Sequence, residues 1–140
     1  MKKYAIHEKN GRITHVVVCM EKWAKIQVVP EGGGILEGPA DMAELELASN
    51  YWVRDGQFVP KLTQPVAVSK TSIVADGTDK AVLSGVPLGA LVHITGAVKY
   101  GPAPVNDGEI VLTSNAHGKI AVRIECHPEF MAWEGQIDAH

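Results

Sequence analysis

The 140-residue sequence predicts a mainly β protein: a small β-rich N-terminal module with one or two short helices, followed by a β-sandwich. Three observations carry that expectation. Five turn pairs, Asn10-Gly11, Asp55-Gly56, Asp76-Gly77, Asp107-Gly108 and His117-Gly118, punctuate runs rich in Val, Ile and Thr. Asn-Gly and Asp-Gly suit type I′ hairpin turns because both central residues must take positive φ. Several runs alternate apolar and polar residues with the period of a half-buried strand, most clearly Ile120, Val122, Ile124 and Cys126 against Ala121, Arg123 and Glu125. Finally, the stretches Gly85-Val86-Pro87-Leu88-Gly89 and Gly101-Pro102-Ala103-Pro104 read as connections that helices do not tolerate.

Residues 3–19 read as the first hairpin. A two-residue turn at Asn10-Gly11 pairs Glu8 with Ile13, Ile6 with His15 and Tyr4 with Val17, placing Tyr4, Ile6, Ile13, Val17 and Cys19 on a core face. Ala5, His7, Thr14, Val16 and Val18 then form the other face, apolar toward its far end and covered there by another element. Glu21–Gln27 allows two turns of helix, and Pro30–Gly34 is a loop because a glycine triplet stabilises no regular element. Ile35-Leu36-Glu37 reads as a short strand. Asp41 with Glu44 gives a capping-box pattern, opening a helix that carries Met42, Leu45 and Ala48 and ends at Ser49-Asn50. Tyr51–Arg54 and Gln57–Pro60 flank Asp55-Gly56 as a second hairpin, with Tyr51, Val53 and Phe58 on one side and Trp52 and Val59 on the other. Pro60 marks an edge or a strand end.

Lys61–Pro65 has no clear period, which sets a boundary between modules at 1–62 and 63–140. Beyond it, strands are expected at Val66–Ser69, Thr71–Ala75, Lys80–Ser84, Ala90–Val98, Glu109–Thr113, Lys119–His127 and Trp133–Ile137. Seven short strands at this spacing are the minimum for an immunoglobulin-like sandwich.

Composition narrows the function. Hydrophobic residues at 46% and charged residues at 21% lie near the globular average, and a net charge of −3 with scattered basic residues lacks the clustered positive surface of a nucleic-acid binder. No apolar run approaches the ~20 residues that span a bilayer. Met1–Glu8 has a basic pair without an apolar stretch behind it, so no signal peptide is expected and synthesis is expected to end in the cytoplasm. Cys19 and Cys126 are expected as buried thiols.

No catalytic, cofactor or metal residues are expected. His7 and His15, the closest candidate zinc pair, fall on opposite faces in the derived register, as do the neighbours Cys126 and His127. Ser49, Ser69, Ser72, Ser84 and Ser114 lie outside any nucleophile elbow. Asp76, Asp79, Asp107 and Glu109 sit in or beside turns, where Asp favours the backbone geometry. Gly32-Gly33-Gly34 lacks the Lys-Ser/Thr of a phosphate loop. Trp23, Trp52 and Trp133 with Tyr4, Tyr51 and Tyr100 suit packing first and a glycan or protein contact surface second.

The order of the motifs adds a resemblance. The Lys-Tyr-Ala-Ile-His start, Gly11-Arg12-Ile13, Gly34-Ile35-Leu36-Glu37-Gly38 and the run from Tyr51 to Pro60 resemble small tail-associated structural proteins of tailed bacteriophages and prophages. There a Tyr-x-Val-x-Asp-Gly-x-x-Val-Pro hairpin leads into a short immunoglobulin-like domain. Leu83–Val92, Asp107–Ile110 and Gly118–Ile124 resemble the strands of that domain, whereas Glu21–Val29 and Met131–Glu134 follow no family pattern. The resemblance implies a virion component assembled in the host cytoplasm, without enzyme activity or cofactor. Its implied partners are other phage structural proteins, further copies of itself in a trimer, or a host receptor or glycan; nucleic acid and membrane insertion are not implied. A capsid decoration protein is the alternative position on the particle.

Overall fold

A computed structural model describes residues 1–126 and 128–140. The protein is mainly β and divides into two compact units, Met1–Leu62 and Thr63–His140.

In the first unit, β1 (Lys2–His7) is the centre of a three-stranded antiparallel sheet between β2 (Ile13–Cys19) and β3 (Gly34–Glu37). Tyr4 pairs with Val17 and Ile6 with His15, as the alternation implies, but His7 pairs with Ile13 across a bulge. The cause is the turn. Among the described non-glycine residues only Asp55 has positive φ, so Asn10 does not enter a type I′ turn. Its Oδ1 instead accepts the Arg12 N–H at 2.9 Å, and Gly11 N–H bonds Glu8 O at 3.0 Å. The extra residue swings Ile13 to the face of Ala5. That face, not the one expected, holds the main core cluster: Ala5, Ile13, Leu47 and Val53 are buried together, with Val16, Leu36, Met42, Tyr51 and Phe58 packed around them. Tyr4 and Ile6, on the opposite face, are buried as well.

Helix α1 covers only Glu21–Ala24, shorter than the two turns expected. Helix α2 (Glu44–Asn50) begins at an Ala43 N-cap without a side-chain bond, so Asp41 caps nothing. This start turns Leu47 inward, where it is fully buried, and leaves Leu45 78% exposed. Strands β4 (Tyr51–Arg54) and β5 (Gln57–Pro60) form the expected hairpin, with Val53 opposite Phe58. Asp55 and Gly56 at φ 53° and 71° make its two-residue turn, the one place where the type I′ expectation is met among the five pairs.

The second unit packs two sheets. Strands β6 (Ala67–Val68), β8 (Ala81–Ser84) and β11 (Ile110–Leu112) form one, in the order β11-β8-β6. The other runs β10-β9-β12-β13-β7 and contains β7 (Ser72–Ile73), β9 (Ala90–Gly96), β10 (Tyr100–Val105), β12 (Gly118–Glu125) and β13 (Trp133–Ala139). Labelled in chain order as immunoglobulin strands, these are A-B-E against C′-C-F-G, with β7 parallel to G. Inward residues of both sheets, among them Leu83, Val92, Ile94, Leu112, Ile120, Val122, Ile124 and Ile137, form one core.

Residues 101–104, expected as a connection, belong to strand β10. It sits at a sheet edge, where proline removes no bond the sheet needs, and the register shift between Tyr100 and Ala103 absorbs Gly101-Pro102. Asp76 and Asp107 make side-chain-capped turns: Asp76 Oδ1 accepts the Thr78 and Asp79 N–H groups, both at 2.8 Å, and Asp107 Oδ1 accepts Glu109 N–H at 3.2 Å. The C-terminal end of the expected strand, at His127, lies outside the described residues.

Candidate functional site

Both units expose some large apolar side chains, and in the first unit five of them lie close together in the sequence. Val18, Met20, Trp23, Ile26 and Val28 are all exposed large apolar residues, Val28 at 88%, within an eleven-residue stretch that runs from the end of β2 through α1 into the following loop. Lys22 Nζ lies 5.4 Å from the Trp23 ring centroid, so this indole carries a cation on a surface-exposed face. Scattered apolar residues are ordinary on a protein surface, but five exposed within eleven residues of sequence are a local concentration of apolar surface.

Beside this stretch lies an unpaired sheet edge. Lys3 O accepts Gly38 N–H at 2.8 Å, so Lys3, Ala5 and His7 turn their peptide groups toward β3, and Tyr4 and Ile6 turn theirs toward β2. Their partners Val17 and His15 therefore bond back to β1, leaving the N–H and C=O groups of Val16 and Val18 directed away from the sheet. No strand among the described residues pairs with β2 on that side.

The candidates considered for chemistry lie apart or serve the backbone. His7 and His15 occupy opposite faces of the sheet; His7 Nδ1 is 2.9 Å from Glu8 O, and His15 Nδ1 is 3.0 Å from Thr14 Oγ1. No group of three or more His, Cys, Asp or Glu residues able to hold a metal occurs among the described residues. Ser69 Oγ accepts Val82 N–H at 2.8 Å, and Ser114 Oγ donates to Ala116 O at 2.7 Å. Gly33 lies against the His7 backbone. Cys19 and Cys126 are half-buried free thiols, and burial pushes the Cys126 thiol up from its ordinary value.

Asp79 is held below the usual carboxylate range, first by its bond from Lys70 and then by the Val74 N–H, which it accepts at 2.7 Å. Asp76 is lowered by the backbone N–H groups of Asp79 and Thr78. Both hold the loop at residues 74–79 in shape. On the outer face of the larger sheet, Arg123 bonds Glu125 at 2.8 Å and also Glu134, and these carboxylates raise its pKa. His93 Nε2 lies 3.8 Å from Glu125. Such exposed pairs contribute about 0–1 kcal/mol each.

Of the aromatic residues considered for contact, Trp52 packs against Gly11 and Trp133 lies over Gly135, where a Cβ would stand 2.3 Å from the ring. Only Trp23 and Tyr100 are exposed among the described aromatic residues, and they belong to different units. Sequence reasoning missed Gln64. It is buried, and its Nε2 donates to Ile124 O and Met131 O, both at 2.9 Å, fastening the start of the second unit to β12. One of three polar residues between Pro60 and Pro65 gives no periodic signal for such a role.

No protein-family model matches the chain, and no curated protein and no solved structure matches it.

Proposed function

We propose that this protein is a non-enzymatic structural component of a bacteriophage virion, associated with the tail in a fibre, tail-tip or baseplate, and that it acts by protein–protein assembly. The observation that carries this reading is the exposed apolar stretch from Val18 to Val28 beside the unpaired β2 edge. Burying such side chains against a neighbouring subunit is worth roughly 25 cal/mol per Å² of apolar surface, and a strand edge adds directional backbone bonds. The first unit is then the docking module, and the immunoglobulin-like unit is the part that extends the assembly or meets the host surface. The order of the sequence motifs supplies the phage context.

The test is to separate tails from heads in purified particles and detect the chain by peptide mass spectrometry and immunogold labelling. Signal in the tail fraction is expected. Signal on heads alone would make it a capsid decoration protein, and its absence from particles would end the proposal. A glycan-binding reading draws less support, because Trp52 and Trp133 are taken up in packing.

A further inference from the structure

Among the described residues the molecule has several unpaired strand edges, and all but one are guarded. Strand β3 is four residues long and ends in Glu37, which pairs with Lys2 at 3.1 Å. Strand β10 contains Pro102 and Pro104. Strands β6 and β7 have two residues each and β11 has three, β5 ends in Pro60, and β4 is four residues long and gives its Val53 N–H to Gly11 O. These are the usual devices against edge-to-edge pairing. Strand β2, Ile13-Thr14-His15-Val16-Val17-Val18-Cys19, has seven residues, no proline, no lysine and no carboxylate, and its one bulge, at Thr14, lies near its start, so nothing of this kind guards Val16 to Val18.

We propose that this edge is a self-association site, at which two copies pair their β2 strands antiparallel about a two-fold axis through Val17 and join their sheets into one of six strands. The inference rests on reading the first unit as the docking module, and it names the partner as a second copy of the chain. The register follows from the backbone. Val16 and Val18 carry the outward N–H and C=O groups, so an antiparallel pairing of Val16 with Val18 of the second copy satisfies all of them from both strands.

Charge favours the same partner. His15 is the one ionisable side chain of the strand apart from the Cys19 thiol, and in this register it stands opposite Cys19 of the other copy and not opposite a second His15. Val17 faces Val17 in a non-hydrogen-bonded pair, where side chains approach most closely. The surface buried by one strand edge falls short of the roughly 1,200–2,000 Å² of standard stable interfaces, so the dimer is weak and concentration-dependent.

The experiment is sedimentation equilibrium of the purified full chain from micromolar to millimolar concentration. A monomer–dimer equilibrium is expected. Val18→Lys sets a lysine in both copies, so its effect counts twice and weakens the dimer about tenfold. Val18→Pro removes an N–H that β1 does not use and is expected to weaken it as well. Leu45→Lys, on exposed α2, leaves it unchanged. Far-UV circular dichroism confirms that each variant is folded. With Cys19 and Cys126 replaced by serine, Val17→Cys should give a disulfide-linked dimer under mild oxidation. A monomer at every concentration, a trimer, or a dimer indifferent to both Val18 variants would overturn the inference. A monomeric chain that is nevertheless found in tails would sink self-pairing and leave the proposed function standing; an edge-dependent dimer absent from particles would do the reverse.

Discussion

The main core of the first unit contains four buried apolar residues, that of the second fifteen, among the described residues. The second unit also closes its edges with prolines and very short strands, whereas the first leaves β2 open and sets five large apolar side chains on its surface close by. A unit of about 60 residues buries a smaller share of its chain's surface than a larger domain and is correspondingly marginal. The contrast teaches a division of labour. The second unit has much the larger core, and the first has an open strand edge with exposed apolar side chains next to it in sequence, the feature on which the proposed docking role rests.

The largest expected effect tests that contrast directly. Leu47→Ala removes the one fully buried leucine of the small core and should cost about 2–5 kcal/mol, enough to unfold the first unit selectively. Hydrogen exchange read separately for each unit would show it, with the second unit still protected. Ile124→Ala, of similar cost, should leave the second unit folded but weakened. Equal loss of protection across both units in Leu47→Ala would break the comparison.

Next come the two hairpin glycines. A Cβ on Gly11 would stand 1.9 Å from Val53 O, which lies on the strand whose Val53 N–H bonds Gly11 O at 2.8 Å. A Cβ on Gly56 meets nothing within 4 Å. Gly56→Ala therefore pays only for its positive φ, roughly 1 kcal/mol, and Gly11→Ala should cost clearly more in urea melts. Equal costs would mean that the close approach of the two hairpins is unimportant.

Gln64→Ala sharpens the second half of the contrast. It leaves the Ile124 and Met131 carbonyls without their donor and should lower the second unit's stability by about 1–3 kcal/mol, with no change in exchange within residues 1–62.

The smallest effect is the pH dependence. Asp76 and Asp79 have folded pKa values below their unfolded ones, so the unfolded chain binds more protons in acid. Their stabilisation is present above the unfolded value of about 4 and is lost as pH falls through the lower folded values. Stability of the second unit should thus drop below about pH 4, and Asp79→Asn should flatten that slope. An unchanged slope in that variant would show that the loop carboxylates do not govern it.

How much of this was legible in the sequence depends on which forces act. The alternation of Ile120, Val122 and Ile124 and the Asp55-Gly56 hairpin were readable because one residue period and one turn type decide them. The core face of the first hairpin was not, because Asn10 satisfied its side chain locally and a single added residue moved Ile13 across the sheet. Leu47 was hidden by a helix starting two residues later than its capping pattern suggests, and strand β10 by prolines that an edge accepts. The β2 edge was visible as an apolar strand, but its lack of a neighbour is a fact of topology.

The parallel pairing of β7 with β13 gives the second unit a mechanical character. Asp138 N–H bonds Thr71 O at 2.8 Å, His140 N–H bonds Ile73 O at 3.0 Å, and Ala75 N–H bonds His140 O at 2.9 Å. Tension applied between Thr63 and His140 pulls these two parallel strands along their length in opposite directions. The bonds lie across the load and must rupture together instead of peeling one by one, so the unit resists stretching as a lap joint does. Single-molecule pulling of a tandem array should give unfolding forces that fall when Ile73→Pro removes the β7 pairing; unchanged forces would place the resistance elsewhere.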